Sequence, residues 1–90
     1  MNEVKAKPVN EQSTLPTDLK DLILFNDDVN TFDYVIRCLI EVCNHTAEQA
    51  EQCAIIAHFK GKCPVKSGSF DELKPLADEL TRRLLTVEIQ

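Results

Sequence analysis

The 90-residue sequence has no apolar run near the roughly 20 residues that a helix needs to cross a bilayer. Residues 1–20 are polar and contain no apolar stretch of the kind found in signal peptides. The sequence thus shows neither a membrane-spanning segment nor a signal for export from the cell. We therefore expect a cytoplasmic protein that has no membrane partner.

Basic residues are also scarce relative to acidic ones. Ten Lys and Arg residues are set against 15 Asp and Glu residues, which gives a net charge of −5. Proteins that bind a phosphate backbone need a clustered basic face. The charge therefore argues against a nucleic-acid partner, and it suits solubility.

A further absence is that of any Cys-x-x-Cys motif. The sequence contains four cysteines: Cys38, Cys43, Cys53 and Cys63. In a reducing compartment the simplest interpretation is that they are small buried side chains. A metal site made of Cys53, Cys63 and His58 is an alternative, but its spacing fits no compact zinc pattern. We expect no metal and no cofactor.

The apolar residues that are present predict three strands and three helices. The strands are expected over 21–25, 63–67 and 84–89, and the helices over 31–44, 47–60 and 70–83. This order, β-α-α-β-α-β, predicts one small α+β domain over 21–90, in which a three-stranded antiparallel sheet packs against three helices. Residues 1–20 are expected to form a flexible tail, which is either idle or gripped by a partner.

Residues that favour helix ends mark the boundaries of these helices. Asn30 is the expected N-cap of the first helix, and Thr46 and Ser69 open the other two as parts of capping boxes. Gly61 is the expected left-handed residue after the second helix. Pro75 lies inside the third helix and either bends it or marks the start of its regular part.

A polar turn, Asn26-Asp27-Asp28, directly follows the first strand, and His58 lies in the last turn of the second helix. Carboxylate, amide and neutral imidazole groups are all hydrogen-bond acceptors, and together they suit an ammonium group. Ala54 and other alanines on the same helix leave a hollow or allow tight packing. The free α-amine of a peptide, with its apolar side chain, would match an acceptor cluster beside a hollow.

Each part of this site has a simpler interpretation. The polar turn is compatible with a strand end followed by a helix cap, and His58 with a partner of the helix dipole. An acid–base enzyme that uses His58 and Asp27 is a further alternative, but the sequence has no nucleophile or cofactor motif. We therefore expect a site that binds rather than reacts.

The segment from Leu22 through Asp28, together with the helix opening Phe32-Asp33-Tyr34-Val35-Ile36, resembles the signature of the ClpS family. These proteins are adaptors of the ATP-dependent Clp protease. The segment His58-Phe59-Lys60-Gly61 is similar to the family's helix that ends in His-x-x-Gly. The segment from Leu84 to Ile89 is similar to its closing strand.

The resemblance implies an adaptor that binds N-degrons, which are N-terminal Leu, Phe, Tyr or Trp residues of substrate proteins. It would deliver these substrates to the N-terminal domain of a Clp-type AAA+ unfoldase, with residues 1–20 as the arm that the unfoldase engages. The amine-binding residues would be Asn26, Asp27, Asp28 and His58. The side-chain pocket would be lined by Asn30, Phe32, Val35, Ala54, Ala57 and Leu84.

The sequence departs from the family pattern around this pocket. Phe32 replaces a common Met at the pocket mouth, Ala54 and Ala57 replace large apolar residues, and Asn30-Thr31 replaces Thr-Pro. The alternative function is therefore a ClpS-like protein-binding module whose N-degron specificity is altered or lost.

Overall fold

The structure is a computed structural model that describes residues 18–90. Most of the segment predicted as a tail therefore lies outside the described residues. The helices and strands are β1 (Lys20–Phe25), α1 (Phe32–Cys43), α2 (Ala47–Lys60), β2 (Lys62–Gly68), α3 (Phe70–Arg82) and β3 (Val87–Ile89). The predicted order β-α-α-β-α-β is confirmed. No helix among these residues is both long enough and apolar enough to cross a membrane.

The sheet is antiparallel and has β1 at its centre, in the order β2-β1-β3. The central position explains why three consecutive residues of β1, Leu22, Ile23 and Leu24, are buried. Leu22 and Leu24 point to the same face because side chains alternate along a strand. Both belong to the main core cluster, together with residues of all three helices. The helices therefore cover one face of the sheet, as predicted.

Short side chains let the helices pack closely on that face. Ala50, Ala54 and Ala57 are buried along α2, and three of the four cysteines are buried as well. Cys53 is half-buried, and all four cysteines are free thiols. The largest fully buried side chains are leucines, among them Leu39 of α1 and Leu80 of α3. The core is thus aliphatic.

The predicted N-caps of α2 and α3 and the predicted C-cap of α2 are confirmed. Thr46 and Ser69 each accept a hydrogen bond from the backbone three residues later, and both capping boxes are complete. Gly61 has a φ of 95°, a left-handed conformation that favours glycine. Pro75 lies within α3, which begins at Phe70, so the proline does not mark the start of the helix.

Two predicted boundaries are wrong. The N-cap of α1 is Thr31, whose hydroxyl accepts a hydrogen bond from the Tyr34 backbone at 3.1 Å, while the Asn30 side chain bonds elsewhere. The last strand begins at Val87 rather than Leu84, because Leu84 has a φ of 72° and lies in the turn that leaves α3. A left-handed residue cannot continue an extended strand.

Candidate functional site

One backbone hydrogen bond joins the end of β1 to the end of α2. The N–H of Asn26 donates to the carbonyl oxygen of Gly61 at 2.9 Å. His58 lies in the last turn of α2, just before Gly61. The polar turn after β1 and the imidazole of His58 are therefore brought to the same end of the domain.

A cavity of about 300 Å³ opens at this end. It is lined by Leu24, Phe25, Asn26, Asp27, Asp28, Asn30, Phe32, Val35, Ala54, Ala57 and His58. All of the predicted site residues except Leu84 are in this lining. The structure thus brings together residues that were chosen from three separate stretches of sequence, while their binding roles stay predictions.

Leu84 differs from its prediction. Its side chain is 76% exposed and is not part of the cavity lining. Its backbone does reach the site, because the Leu84 carbonyl oxygen accepts a hydrogen bond from Nδ2 of Asn30 at 2.9 Å. Sequence reasoning missed Leu24 and Phe25, which line the cavity and directly precede the polar turn. Their position at the end of β1 was the signal that pointed to them.

The Asp27 carboxylate is held on both oxygens. Oδ1 accepts from the backbone N–H groups of Val29 at 2.9 Å and Asn30 at 2.8 Å, and Oδ2 accepts from Nδ2 of Asn30 at 3.0 Å. Partial burial raises the pKa of Asp27, but the hydrogen bonds from Asn30 and Val29 outweigh it and hold the pKa below its usual value of 3.8. Asp27 is therefore a carboxylate at neutral pH.

His58 lies between two aromatic rings. Its ring centroid is 5.3 Å from that of Phe32 and 4.8 Å from that of Phe59, and both pairs meet edge to face. Such arrangements are favourable for aromatic groups. Phe32 lines the cavity, whereas Phe59 is 77% exposed. The imidazole is thus oriented by its neighbours while its side chain stays accessible to solvent.

The lining has a polar end and an apolar end. Asn26, Asp27 and Asp28 supply oxygen acceptors from the turn after β1, and His58 adds a ring nitrogen from α2. The apolar end is formed by side chains from β1, α1 and α2: Leu24, Phe32, Val35, Ala54 and Ala57. This arrangement suits a ligand that carries a positively charged donor group next to an apolar side chain.

Two of the four thiols near the core have raised pKa values. Burial raises the pKa of Cys43 to about 11, and burial and a hydrogen bond with Cys63 raise that of Cys53 to about 12. Burial therefore disfavours the thiolate form, which is the nucleophile, in both groups at neutral pH. Within residues 18–90, no group of three or more His, Cys, Asp or Glu side chains is placed to hold a metal ion.

A family model matches most of this sequence. The model of the ATP-dependent Clp protease adaptor protein ClpS matches residues 16–86. That span contains the whole cavity lining. It also includes β2 and α3, which contain none of the segments quoted above for the resemblance.

The proteins that are similar to this chain include two relatives and one solved structure, described next. The ATP-dependent Clp protease adapter protein ClpS of Thermosynechococcus vestitus is 31% identical over 67 residues, which are 73% of this chain and 71% of that protein. The protein of the same name from Acetivibrio thermocellus is 40% identical over 50 residues, which are 56% and 50% of the two chains. The structure of Agrobacterium tumefaciens ClpS2 bound to L-phenylalaninamide superposes with a TM-score of 0.70 at 21% identity, covering 81% of this chain and 95% of that one.

Proposed function

The chain belongs to the ClpS family of ATP-dependent Clp protease adaptors, and on that premise we propose that it binds N-degrons. It recognises the N-terminal bulky apolar residue of a substrate protein and delivers that protein to a Clp-type AAA+ unfoldase. The protein is an adaptor rather than an enzyme, because the family consists of adaptors. Its own part in degradation is therefore recognition and transfer.

One observation carries the proposal: a cavity of about 300 Å³ has a cluster of acceptors at one end and apolar side chains at the other. That volume is at the lower end of the range of roughly 300–1,000 Å³ for small-molecule sites, which suits a single amino-acid side chain. An N-terminal residue combines an ammonium group with a side chain on the next carbon. L-phenylalaninamide, the ligand of Agrobacterium tumefaciens ClpS2, has the same combination.

In this proposal Asn26, Asp27 and His58 bind the α-ammonium group, and Asp28 shapes the polar end. The side chain of the substrate enters the apolar end, which is lined by Asn30, Phe32, Val35, Ala54 and Ala57. Leu84 takes part only through its carbonyl oxygen. The α-ammonium group loses bound water when it enters the cavity. Charge-assisted hydrogen bonds with the acceptors offset the free-energy cost of that desolvation.

The remaining assignments follow from the family. Residues 21–90 are the adaptor domain, and residues 1–20 are the arm that the unfoldase engages. The N-terminal domain of the unfoldase is the docking partner, and the cytoplasm is the compartment.

A second candidate function is a protein-binding module of this family with altered specificity. It is favoured by the walls of the cavity, where the ring of Phe32 packs on His58 and α2 contributes only the small side chains of Ala54 and Ala57. Compared with the family pattern, small residues on one wall and a large ring on the other give the cavity a different shape, so a different side chain would fit it best.

Fluorescent peptides beginning with Leu, Phe, Tyr or Trp test the proposal when they are titrated against the protein. The same peptides with an acetylated N-terminus are the control, since acetylation removes the positive charge and two donor hydrogens. Losing hydrogen bonds to charged groups costs about 1.5–3 kcal/mol, so acetylation should weaken binding by about tenfold or more. Equal affinity for free and acetylated peptides would overturn the proposal. Binding of free-amine peptides that begin with other residues would select the second candidate.

A further inference from the structure

We propose that Asn30 is a positioning residue that braces the Asp27 carboxylate against the turn between α3 and β3. This inference rests on the proposed function, in which Asp27 binds the α-ammonium group. Asn30 was expected to line the side-chain pocket. Its hydrogen bonds show that its amide group has a second task in the polar end of the site.

The side-chain nitrogen of Asn30 joins two distant parts of the chain. Nδ2 donates to Oδ2 of Asp27 at 3.0 Å and to the carbonyl oxygen of Leu84 at 2.9 Å. A carboxamide nitrogen carries two hydrogens, so these two bonds use both of them. The backbone N–H of Asn30 also donates to Oδ1 of Asp27. Asn30 therefore contacts both oxygens of the carboxylate.

These bonds determine which oxygen of Asp27 can receive a ligand. Each carboxylate oxygen accepts about two hydrogen bonds. Oδ1 already accepts two, from the backbone of Val29 and of Asn30. Among the described residues, Oδ2 accepts one bond, from Asn30, so it keeps an acceptor position for an ammonium group. Oδ2 of Asp27 is thus the oxygen available to the ligand, and the side chain of Asn30 holds it in position.

The other end of the brace is a constrained turn. Leu84 has a φ of 72°, which is unfavourable for a residue with a branched side chain. The preceding carbonyl, of Arg83, accepts a hydrogen bond from the Tyr34 hydroxyl at 2.9 Å, and the Arg83 guanidinium pairs with Glu41 of α1 at 2.7 Å. These two contacts with α1 fix the turn. The Leu84 carbonyl is therefore a well-positioned acceptor for Asn30.

Only a carboxamide of this length serves both ends at once. A threonine hydroxyl has one hydrogen to donate, so Asn30→Thr keeps at most one of the two bonds. Asn30→Asp has nearly the same shape, but when it is ionised it has no donor and places a second carboxylate beside Asp27. Asn30→Ala removes the group altogether. Gln49→Ala is the matched control, because it removes a carboxamide and its hydrogen bond with the Thr46 backbone at the start of α2, without touching Asp27 or the turn.

The experiment titrates a free-amine peptide beginning with Phe, and its acetylated form, against the full-length wild-type protein and these variants from pH 3 to pH 8. Asn30→Ala should lower the affinity for the free-amine peptide by about fivefold or more, because one bond that orients a charged acceptor is lost. The affinity for the acetylated peptide should stay nearly unchanged. Asn30→Asp should lower the affinity for the free-amine peptide at least as much. The affinity of Asn30→Thr for this peptide should lie between those of wild type and Asn30→Ala. Asn30→Thr replaces the alanine variant in the experiment if the alanine variant does not fold.

The fall of peptide affinity at acidic pH, called here the acid limb, separates a positioning role of Asn30 from a role in stabilising the fold. Losing the Asn30 hydrogen bond raises the pKa of Asp27, so binding should fail at a higher pH in Asn30→Ala than in wild type. The other titratable side chains of the cavity, Asp28 and His58, are the same in both proteins, so the difference reports Asp27. Gln49→Ala should bind with the same pH dependence as wild type. An unmoved acid limb in Asn30→Ala, or equal losses for both peptides, would overturn the inference.

A second readout keeps this inference distinct from the proposed function. The carboxyl carbon of Asp27 is titrated by NMR in the peptide-free proteins, and its pKa should rise in Asn30→Ala. If wild type fails to prefer the free-amine peptide, the proposed function falls, while this titration still decides whether Asn30 controls Asp27. An unchanged Asp27 titration in Asn30→Ala overturns the positioning role whatever the peptides show.

Discussion

The imidazole of His58 meets the ring of Phe32 edge to face, with 5.3 Å between the two centroids and 65° between the planes. His58 belongs to the polar end of the cavity, and Phe32 forms one wall of the apolar end. The two ends of the site therefore share one aromatic contact. A change at either residue is expected to alter both amine binding and the choice of side chain.

Replacing His58 with alanine should weaken binding of a free-amine peptide several-fold. The substitution removes one acceptor for the ammonium group and the ring that supports Phe32. A buried donor that loses its partner costs on the order of 1–3 kcal/mol. Fluorescence anisotropy with a peptide beginning with Phe measures the loss, and the acetylated peptide is the control. A His58→Ala protein that binds as tightly as wild type would remove His58 from the site.

Filling the cavity from α2 should exclude large side chains. Ala54 is 4% exposed and lines the cavity, so Ala54→Leu projects three more carbon atoms into it. Affinity for peptides beginning with Trp or Phe should fall by about tenfold, since a clash of this kind costs typically 1–3 kcal/mol. Ala47→Leu, at an exposed position of the same helix, is the control and should bind as wild type does. Unchanged binding by Ala54→Leu would place the peptide side chain elsewhere.

Two neighbouring residues of α1 should differ sharply in their effect on stability. Leu39 is fully buried, whereas Ile40 is 37% exposed. Leu39→Ala should lower the free energy of unfolding by about 2–5 kcal/mol, because it removes buried carbon atoms and leaves a cavity. Ile40→Ala should cost clearly less. Urea denaturation followed by circular dichroism measures both, and similar losses would contradict the assignment of the core face.

Stability should decline in acid partly because of Glu79. Hydrogen bonds from Arg82 and Arg83 lower its pKa from 4.5 to about 2. Because the folded-state pKa is lowered, this contribution is complete above pH 4.5 and is lost as the pH falls towards 2. Asp27, whose pKa is also lowered, adds to the same decline.

Glu79→Gln should therefore flatten the fall of the melting temperature between pH 4.5 and pH 2. Differential scanning calorimetry across this range measures the slope. Glu51→Gln, an exposed carboxylate of α2, controls for the loss of one negative charge. A slope that is identical in wild type and Glu79→Gln would show that the interaction with Arg82 and Arg83 does not stabilise the fold.

Much of the fold was predictable because its signals are local. The spacing of apolar residues identified each helix, and Thr46 and Ser69 marked helix starts through partners only three residues away. The errors at Asn30 and Leu84 have a different origin. Their hydrogen bond joins residues that are 54 positions apart, so nearby residues did not show that the Asn30 side chain bonds outside α1 or that Leu84 lies in a turn.

The sequence by itself determined the order of helices and strands and the presence of two acceptor groups, the Asn26-Asp27-Asp28 turn and His58. It also carried the family resemblance that the comparisons confirmed. Only the tertiary structure decided that these groups meet, through the hydrogen bond between Asn26 and Gly61, and that the Asn30 side chain bonds to the Leu84 carbonyl. The physical reason is that hydrogen bonds between distant residues depend on how the helices pack on the sheet, which local spacing does not specify.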